Sequence, residues 1–135
     1  MTGFLDAPKP RSVAVIGFGK LGQAVANHVK QSDGNLTAAA AFYSNSSLVG
    51  TEVGGVKCFD LAELDEQIAA LGISVAILTV PPKFAQAVAD QLVFAGVQAI
   101  LSFASIQLSV PDSVFVENYD MTTALETVAY FARAD

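Results

Sequence analysis

The stretch VAVIGFGKLGQAVANH, residues Val13–His28, is the part of this chain that determines its fold. Its first four residues are all apolar, which is typical of a parallel strand buried on both faces. A glycine-rich turn follows, and apolar residues at helical spacing then continue to His28. The order of strand, glycine turn and helix predicts the first strand–helix unit of an α/β domain.

The turn contains three glycines in the spacing GxGxxG. Gly17 permits a sharp turn, Gly19 allows a diphosphate to approach the backbone, and Gly22 lets the helix pack closely on the strand. The start of the helix adds unpaired N–H groups and a partial positive charge. These features predict a nucleotide site formed by Gly17, Phe18, Gly19, Lys20, Leu21 and Gly22; the alternative is a tight turn that binds nothing.

Strand-sized apolar runs alternate with helical patterns along the rest of the chain. Strands are predicted at residues 12–16, 36–42, 56–59, 73–80, 97–103 and 114–117, and helices at residues 21–30, between 60 and 72, 82–95 and 122–134. Asp60 and Glu63 form a box-like pair that caps the second helix. The alternation predicts a single α/β domain over residues 11–135, a Rossmann-like doubly wound parallel sheet, after a flexible lead-in at residues 1–10.

Composition excludes several classes of function. The 135 residues carry a net charge of −6, and their seven Lys and Arg residues are scattered singly. The chain alone is therefore not expected to bind nucleic acid. No membrane association or secretion is expected, because apolar runs are short and the N-terminus does not resemble a signal peptide. The single cysteine, Cys58, excludes an internal disulfide and fits a cytoplasmic location.

The second strand lacks the acidic residue that commonly binds the adenosine ribose at its end. That position reads Phe42-Tyr43-Ser44-Asn45. Tyr43, Ser44 or Asn45 can bond a ribose hydroxyl less strongly than a carboxylate does, so low affinity for NAD is expected. A 2′-phosphate, as in NADP, is not favoured because no Arg or Lys lies there. A solvated loop is the remaining alternative.

Other strands end at the same edge of the predicted sheet, where ligands bind in this class of fold. The candidate residues there are Thr79, Val80, Pro81, Phe103, Ala104 and Tyr119, whereas Asp120 or Asn118 is expected to cap the last helix. No catalytic group is expected beside them, because His28 falls late in the first helix and Cys58 is an apolar filler. No metal-ligand spacing occurs either. The sequence therefore favours binding without turnover.

The last predicted helix is apolar around most of its circumference. Met121, Leu125, Val128 and Ala132 form one stripe, and Ala124, Ala129, Tyr130 and Phe131 extend it. Such a helix requires burial on more than one side, which a second subunit can supply. The alternative is an ordinary amphipathic helix with a broad stripe.

Five segments, in the same order along the chain, resemble the nucleotide-binding domain of the Rex family, the bacterial redox-sensing transcriptional repressors. They are VAVIGFGKLGQAVANH, VGTEVGGVKCFDLAEL, SVAILTVPPKFAQAVADQLVFAGVQAILSFA, VPDSVFVENYD and LETVAYF, within residues 11–131. The resemblance implies a cytoplasmic homodimer that binds NADH and NAD⁺, distinguishes them and performs no chemistry. It also implies that the final helix packs across the partner subunit. Val80 and Pro81 would border the cofactor, and Phe103 and Ala104 would lie toward the nicotinamide.

The chain departs from this family at three places. Only residues 1–10 precede the predicted fold, so the family's winged-helix DNA-binding domain is not expected here. Tyr43 stands where the family has the ribose-binding Asp, and Ser102 and Ser105 replace the Asn and Pro that flank Phe103-Ala104. Alternative functions are therefore a coenzyme A-binding or interaction domain with altered ligand preference, or a small NAD(P)-dependent reductase.

Overall fold

The computed structural model describes residues 11–17, 20–31, 36–43, 49–53 and 55–132, and the predicted lead-in at residues 1–10 lies outside these ranges. The elements in chain order are β1 (Arg11–Gly17), α1 (Lys20–Gln31), β2 (Leu36–Tyr43), β3 (Glu52–Val53), β4 (Val56–Asp60), α2 (Leu64–Leu71), β5 (Val75–Thr79), α3 (Pro82–Ala95), β6 (Ala99–Ser102), β7 (Phe115–Asn118) and α4 (Met121–Phe131). All ten predicted elements are present, with ends that differ by a few residues.

The described strands form one seven-stranded sheet in the order β3-β4-β2-β1-β5-β6-β7. Every neighbouring pair is parallel except β3 and β4, which form a short antiparallel pair. The chain winds outward from β1 through β2 and β4, then crosses to β5 on the other side of β1. The strand order therefore reverses between β1 and β5, which confirms the Rossmann-like doubly wound fold.

Helices pack on both faces of the sheet. On one face, α2 and α3 cover the larger apolar cluster, whose members include Ile16, Phe42, Leu64, Leu78 and Leu92. On the other face, α1 contributes Ala26 and Val29 to a smaller cluster with Val13, Val15 and Ile77. Strands covered on both faces are apolar throughout, which explains why β1 and β5 show no alternation in the sequence.

The helix ends follow the sequence signals with one exception. Pro82 begins α3, and Gly72 and Gly96 end α2 and α3 in the left-handed conformation, with φ of 64° and 110°. Asp60 does not cap α2 directly. Its Oδ1 accepts a hydrogen bond of 2.9 Å from the N–H of Ala62, at a short 3₁₀ turn that precedes α2. The predicted box with Glu63 is wrong, because the Glu63 side chain makes no capping bond.

The last helix, α4, is capped by Asp120 as predicted, because the carboxylate of Asp120 accepts hydrogen bonds from the N–H and hydroxyl of Thr123. From residue 123 to residue 132 every side chain of this helix is exposed. Phe131 is 80% exposed and Leu125 is 66% exposed. This chain alone therefore leaves Leu125, Val128 and Ala132 of the apolar stripe uncovered. Among the described residues, no helix is both long and apolar enough to cross a membrane.

Candidate functional site

The candidate site lies at the carboxyl ends of β1 and β5, where the strand order reverses. Gly17 ends β1 and pairs in register with Thr79, which ends β5. In open α/β sheets, ligands bind in the crevice outside this reversal point, because the loops from the two strands diverge there. The glycine turn follows Gly17, and Phe18 and Gly19 of that turn lie outside the described residues.

Thr79 packs against two glycines of the site. Its hydroxyl donates a hydrogen bond of 3.0 Å to the carbonyl of Ile16. A Cβ atom built on Gly17 would collide with this Thr79 oxygen, and one built on Gly22 would lie 3.3 Å from it. The two glycines therefore let the end of β1 and the first turn of α1 lie directly against β5. Gly17 is required because a side chain would not fit at this position. Its backbone continues the strand, so no unusual backbone conformation is involved.

The first turn of α1 has the properties of an anion site. The helix begins at Lys20 and has no acidic residue in its first turn. The first four backbone N–H groups of any helix lack partners within the helix, and the helix dipole adds a partial positive charge. Leu21 is partly exposed beside this end, whereas Gly22 is buried. The described part of the turn therefore suits a phosphate or diphosphate group.

Tyr43, at the end of β2, is fully buried. Its hydroxyl lies beneath α1, 3.7 Å from the position that a Cβ atom of Gly22 would take. No described residue gives this hydroxyl a hydrogen-bond partner. Burial raises the pKa of the Tyr43 phenol, and nearby Cys58 raises it further. The side chain of Tyr43 is therefore buried under α1. Ser44, which was predicted as a second ribose-binding residue, lies outside the described residues.

The residues predicted after β5, β6 and β7 lie at the same edge. Val80 is buried, and Pro81 is exposed and precedes α3. The Phe103 and Tyr119 rings meet edge to face, with centroids 5.3 Å apart. Backbone bonds of 2.9 Å from Phe103 to Leu78 and 2.8 Å from Tyr119 to Ser102 join the three strand ends. The buried Ser102 hydroxyl also accepts a bond from the N–H of Ala104.

The structure shows two features that the sequence did not indicate. A cavity of about 270 Å³ opens beside Ala104 and is lined by Ser105, Gln107, Asn118 and Asp120 among others. Gln86 on α3 also bonds both backbone groups of Ser109, at 2.8 Å to the N–H and 2.9 Å to the carbonyl. These partners are 23 residues apart, so no local pattern predicts the contact. Gln86 therefore anchors the long loop between β6 and β7, whose first residues border the site.

Other candidate groups lie away from this edge or form no cluster. His28 lines an apolar cavity of about 350 Å³ between α1 and β5–β6, together with Val25, Ile77, Leu101 and Phe103 among others. Cys58 is buried in a separate apolar cluster, as the sequence predicted. The described residues contain no group of three or more His, Cys, Asp or Glu that could hold a metal ion.

Comparison with known proteins gives consistent matches. Residues 8–106 match the family model described as the CoA binding domain. The redox-sensing transcriptional repressor Rex of Leuconostoc citreum is 42% identical over 127 residues, covering 94% of this chain and 59% of the repressor. This chain spans about three fifths of the length of the curated relatives that it matches.

Solved structures agree with the sequence matches. RSP, a Rex-family repressor, is 36% identical to this chain, and the match covers 91% of this chain. The structure of RSP with β-NADH superposes with a TM-score of 0.83. The structure of RSP with β-NAD⁺ and operator DNA superposes with a TM-score of 0.85. This chain covers 60% and 57% of the two RSP chains. The resemblance to the Rex family is thereby confirmed. A UDP-D-quinovosamine 4-dehydrogenase from Vibrio fischeri, 18% identical with a TM-score of 0.61, shows the shared fold alone.

Proposed function

Because the chain belongs to the CoA binding domain family and is similar to Rex repressors over nine tenths of its length, we propose that it is a redox-sensing NAD(H)-binding domain. The observation that carries this proposal is the likeness, at 36% identity, to a Rex-family repressor whose structures contain β-NADH and β-NAD⁺. Binding in place of turnover is part of the proposal, since the curated relatives that this chain matches at about 40% identity are named as repressors.

The described residues fit a dinucleotide. In the proposed complex, the diphosphate lies at the first turn of α1, where backbone N–H groups face it and no carboxylate repels it. Gly17 and Gly22 keep that turn close to Thr79, a packing that a larger residue at Gly17 would prevent. The nicotinamide extends toward Val80, Pro81 and the Phe103–Tyr119 ring pair. Binding and orientation are the whole role of these side chains.

Dimerisation through α4 is a second part of the proposal. The helix presents Leu125, Val128 and Phe131 to solvent. The apolar cavity between α1 and β5–β6 is lined in part by the exposed Leu36 and the partly exposed Leu101 and Phe103. Sheets of this class are covered by helices on both faces. An apolar helix from a partner subunit would fill the uncovered position and bury its own stripe at the same time.

The dimer proposal is tested by Leu125→Glu, with Glu126→Gln on the same exposed helix as the matched control. Leu125 is exposed in the single chain, so its replacement leaves the fold of one subunit intact. Light scattering at micromolar concentration should give twice the mass of 14.0 kDa for wild type and control, and the single mass for Leu125→Glu. A monomeric wild type, or a dimeric Leu125→Glu, contradicts the proposal.

A second candidate ligand is coenzyme A, which the family match favours. Its ADP portion would occupy the same turn at α1. Calorimetric titration with NADH, NAD⁺ and coenzyme A distinguishes the two functions. Saturable binding of NADH or NAD⁺ that is tighter than binding of coenzyme A supports the sensor. Tighter binding of coenzyme A favours the second function, and no binding by any of the three at millimolar concentration contradicts both.

A further inference from the structure

The adenosine end of the proposed site has an unusual composition. In dinucleotide-binding folds a carboxylate at the end of the second strand hydrogen-bonds the ribose hydroxyls. Here the end of β2 is Tyr43, and its fully buried side chain lies beneath α1 beside Gly22. The rim of the site at β2 therefore lacks a carboxylate from the expected position. The question is which side chain of the neighbouring elements faces the adenosine.

Asp60 is the residue next to Tyr43 across the sheet. It ends β4, which pairs in parallel with β2, and the register sets Tyr43 opposite Asp60. Paired residues of adjacent strands are about 4.8 Å apart. Because side chains alternate along a strand, Asp60 shares a face with Val56 and Cys58, which cluster with Tyr43. The carboxylate of Asp60 thus lies on the same face of the sheet as Tyr43, but one strand farther from the glycine turn than Tyr43 does.

The Asp60 side chain is held in place and keeps capacity for a ligand. Its Oδ1 accepts a bond of 2.9 Å from the Ala62 N–H, and the residue is only half-buried. A carboxylate offers about four lone-pair sites, of which this bond uses one. Lys57, the nearest lysine on the strand, lies over the Phe59 ring on the opposite face, 5.5 Å from its centroid. The carboxylate is therefore ordered without being neutralised by that lysine.

We propose that Asp60 supplies, from β4, the carboxylate that binds the ribose hydroxyls of the adenosine moiety, and so sets the preference for an unphosphorylated ribose. This assignment rests on the proposed function. A phosphate on the ribose, as in NADPH or coenzyme A, would face a carboxylate and be repelled.

The test compares the affinities for NADH and NADPH of wild type, Asp60→Asn and the control Asp65→Asn. Asparagine also caps a first turn, so Asp60→Asn removes the charge and keeps the local structure. Asp65 is an exposed acid in the first turn of α2. Asp60→Asn should weaken NADH binding about tenfold or more, the usual effect of losing a charged hydrogen bond. It should also lower the NADH-to-NADPH preference at least about tenfold, whereas Asp65→Asn should change neither.

The outcomes separate this assignment from the proposed function. If wild type binds NADH and Asp60→Asn keeps both its affinity and its preference within about twofold, Asp60 is only a cap and the assignment is overturned. If wild type binds neither dinucleotide, the proposed function fails and the assignment fails with it. Asp60→Ser, which also caps without charge, replaces Asp60→Asn if thermal unfolding shows that the latter is misfolded. The same shift in preference is expected for it.

Discussion

Gly17→Ala is the substitution for which the structure predicts a large effect from one contact. The new Cβ would collide with the Thr79 hydroxyl and lie 3.0 Å from the Thr79 Cβ. Thr79 is β-branched and has few rotamers, so it can make room only by breaking its bond to the Ile16 carbonyl. Losing that bond costs about 1 kcal/mol, and overpacking costs about 1–3 kcal/mol. The free energy of unfolding should therefore fall by about 2–4 kcal/mol.

Urea unfolding followed by circular dichroism measures this loss as a fall in midpoint of about 1–2 M. A double-mutant cycle with Thr79→Ala isolates the contact, because that variant lacks the hydroxyl. In the Thr79→Ala background, Gly17→Ala should cost about 1–2 kcal/mol less. Gly22→Ala is the matched control. Its Cβ needs a shift of only a few tenths of an ångström, and alanine favours the helix. An equal cost of Gly17→Ala in both backgrounds would refute the role of Thr79.

Two further predictions concern Tyr43 and Gln86. Tyr43→Phe should raise the free energy of unfolding by about 1 kcal/mol, because it removes a buried hydroxyl that has no described partner. Since burial raises the Tyr43 pKa, the folded chain holds a proton that the unfolded chain releases. Wild-type stability in urea titrations should thus fall above about pH 10. The phenylalanine variant should lose less, and an equal loss in both would contradict this account. Gln86→Ala should lower stability by about 1–3 kcal/mol, chiefly through its two lost bonds to Ser109 and to a smaller extent through its exposed bond to Asp90. The exposed Gln91→Ala should stay within about 0.5 kcal/mol. Similar values for the two variants would show that the Ser109 contact contributes little.

The sequence predicted the elements whose signals are local. Pro82 and Gly96 bound α3, and the Val13–Ile16 run with its glycine turn located the start of the fold, because caps and buried parallel strands have distinctive residue patterns. The two-residue strand β3 was missed, since a pair of residues carries no periodicity.

The shared edge of the candidate site residues was predictable, but their contacts were not. The residues quoted from the strand ends do lie along one edge, because carboxyl ends of parallel strands share an edge. The packing of Thr79 on Gly17 joins residues distant in sequence, so no pattern indicates it. The burial of Tyr43 could not be predicted either. Because β2 is apolar on both faces, its sequence does not show which way the last side chain points. That Tyr43 contacts the ligand therefore stays a prediction.

The central claim is that a dinucleotide diphosphate binds the first turn of α1 at the reversal of strand order. Its most direct test is amide chemical-shift mapping of the ¹⁵N-labelled chain during titration with NADH. The account predicts that the largest saturable changes occur at Gly17, at Lys20–Gly22 and at Thr79, with small changes at the opposite end of the sheet near Gly96 and Gln98. Saturable changes that bypass the start of α1, or none at millimolar NADH, would contradict it.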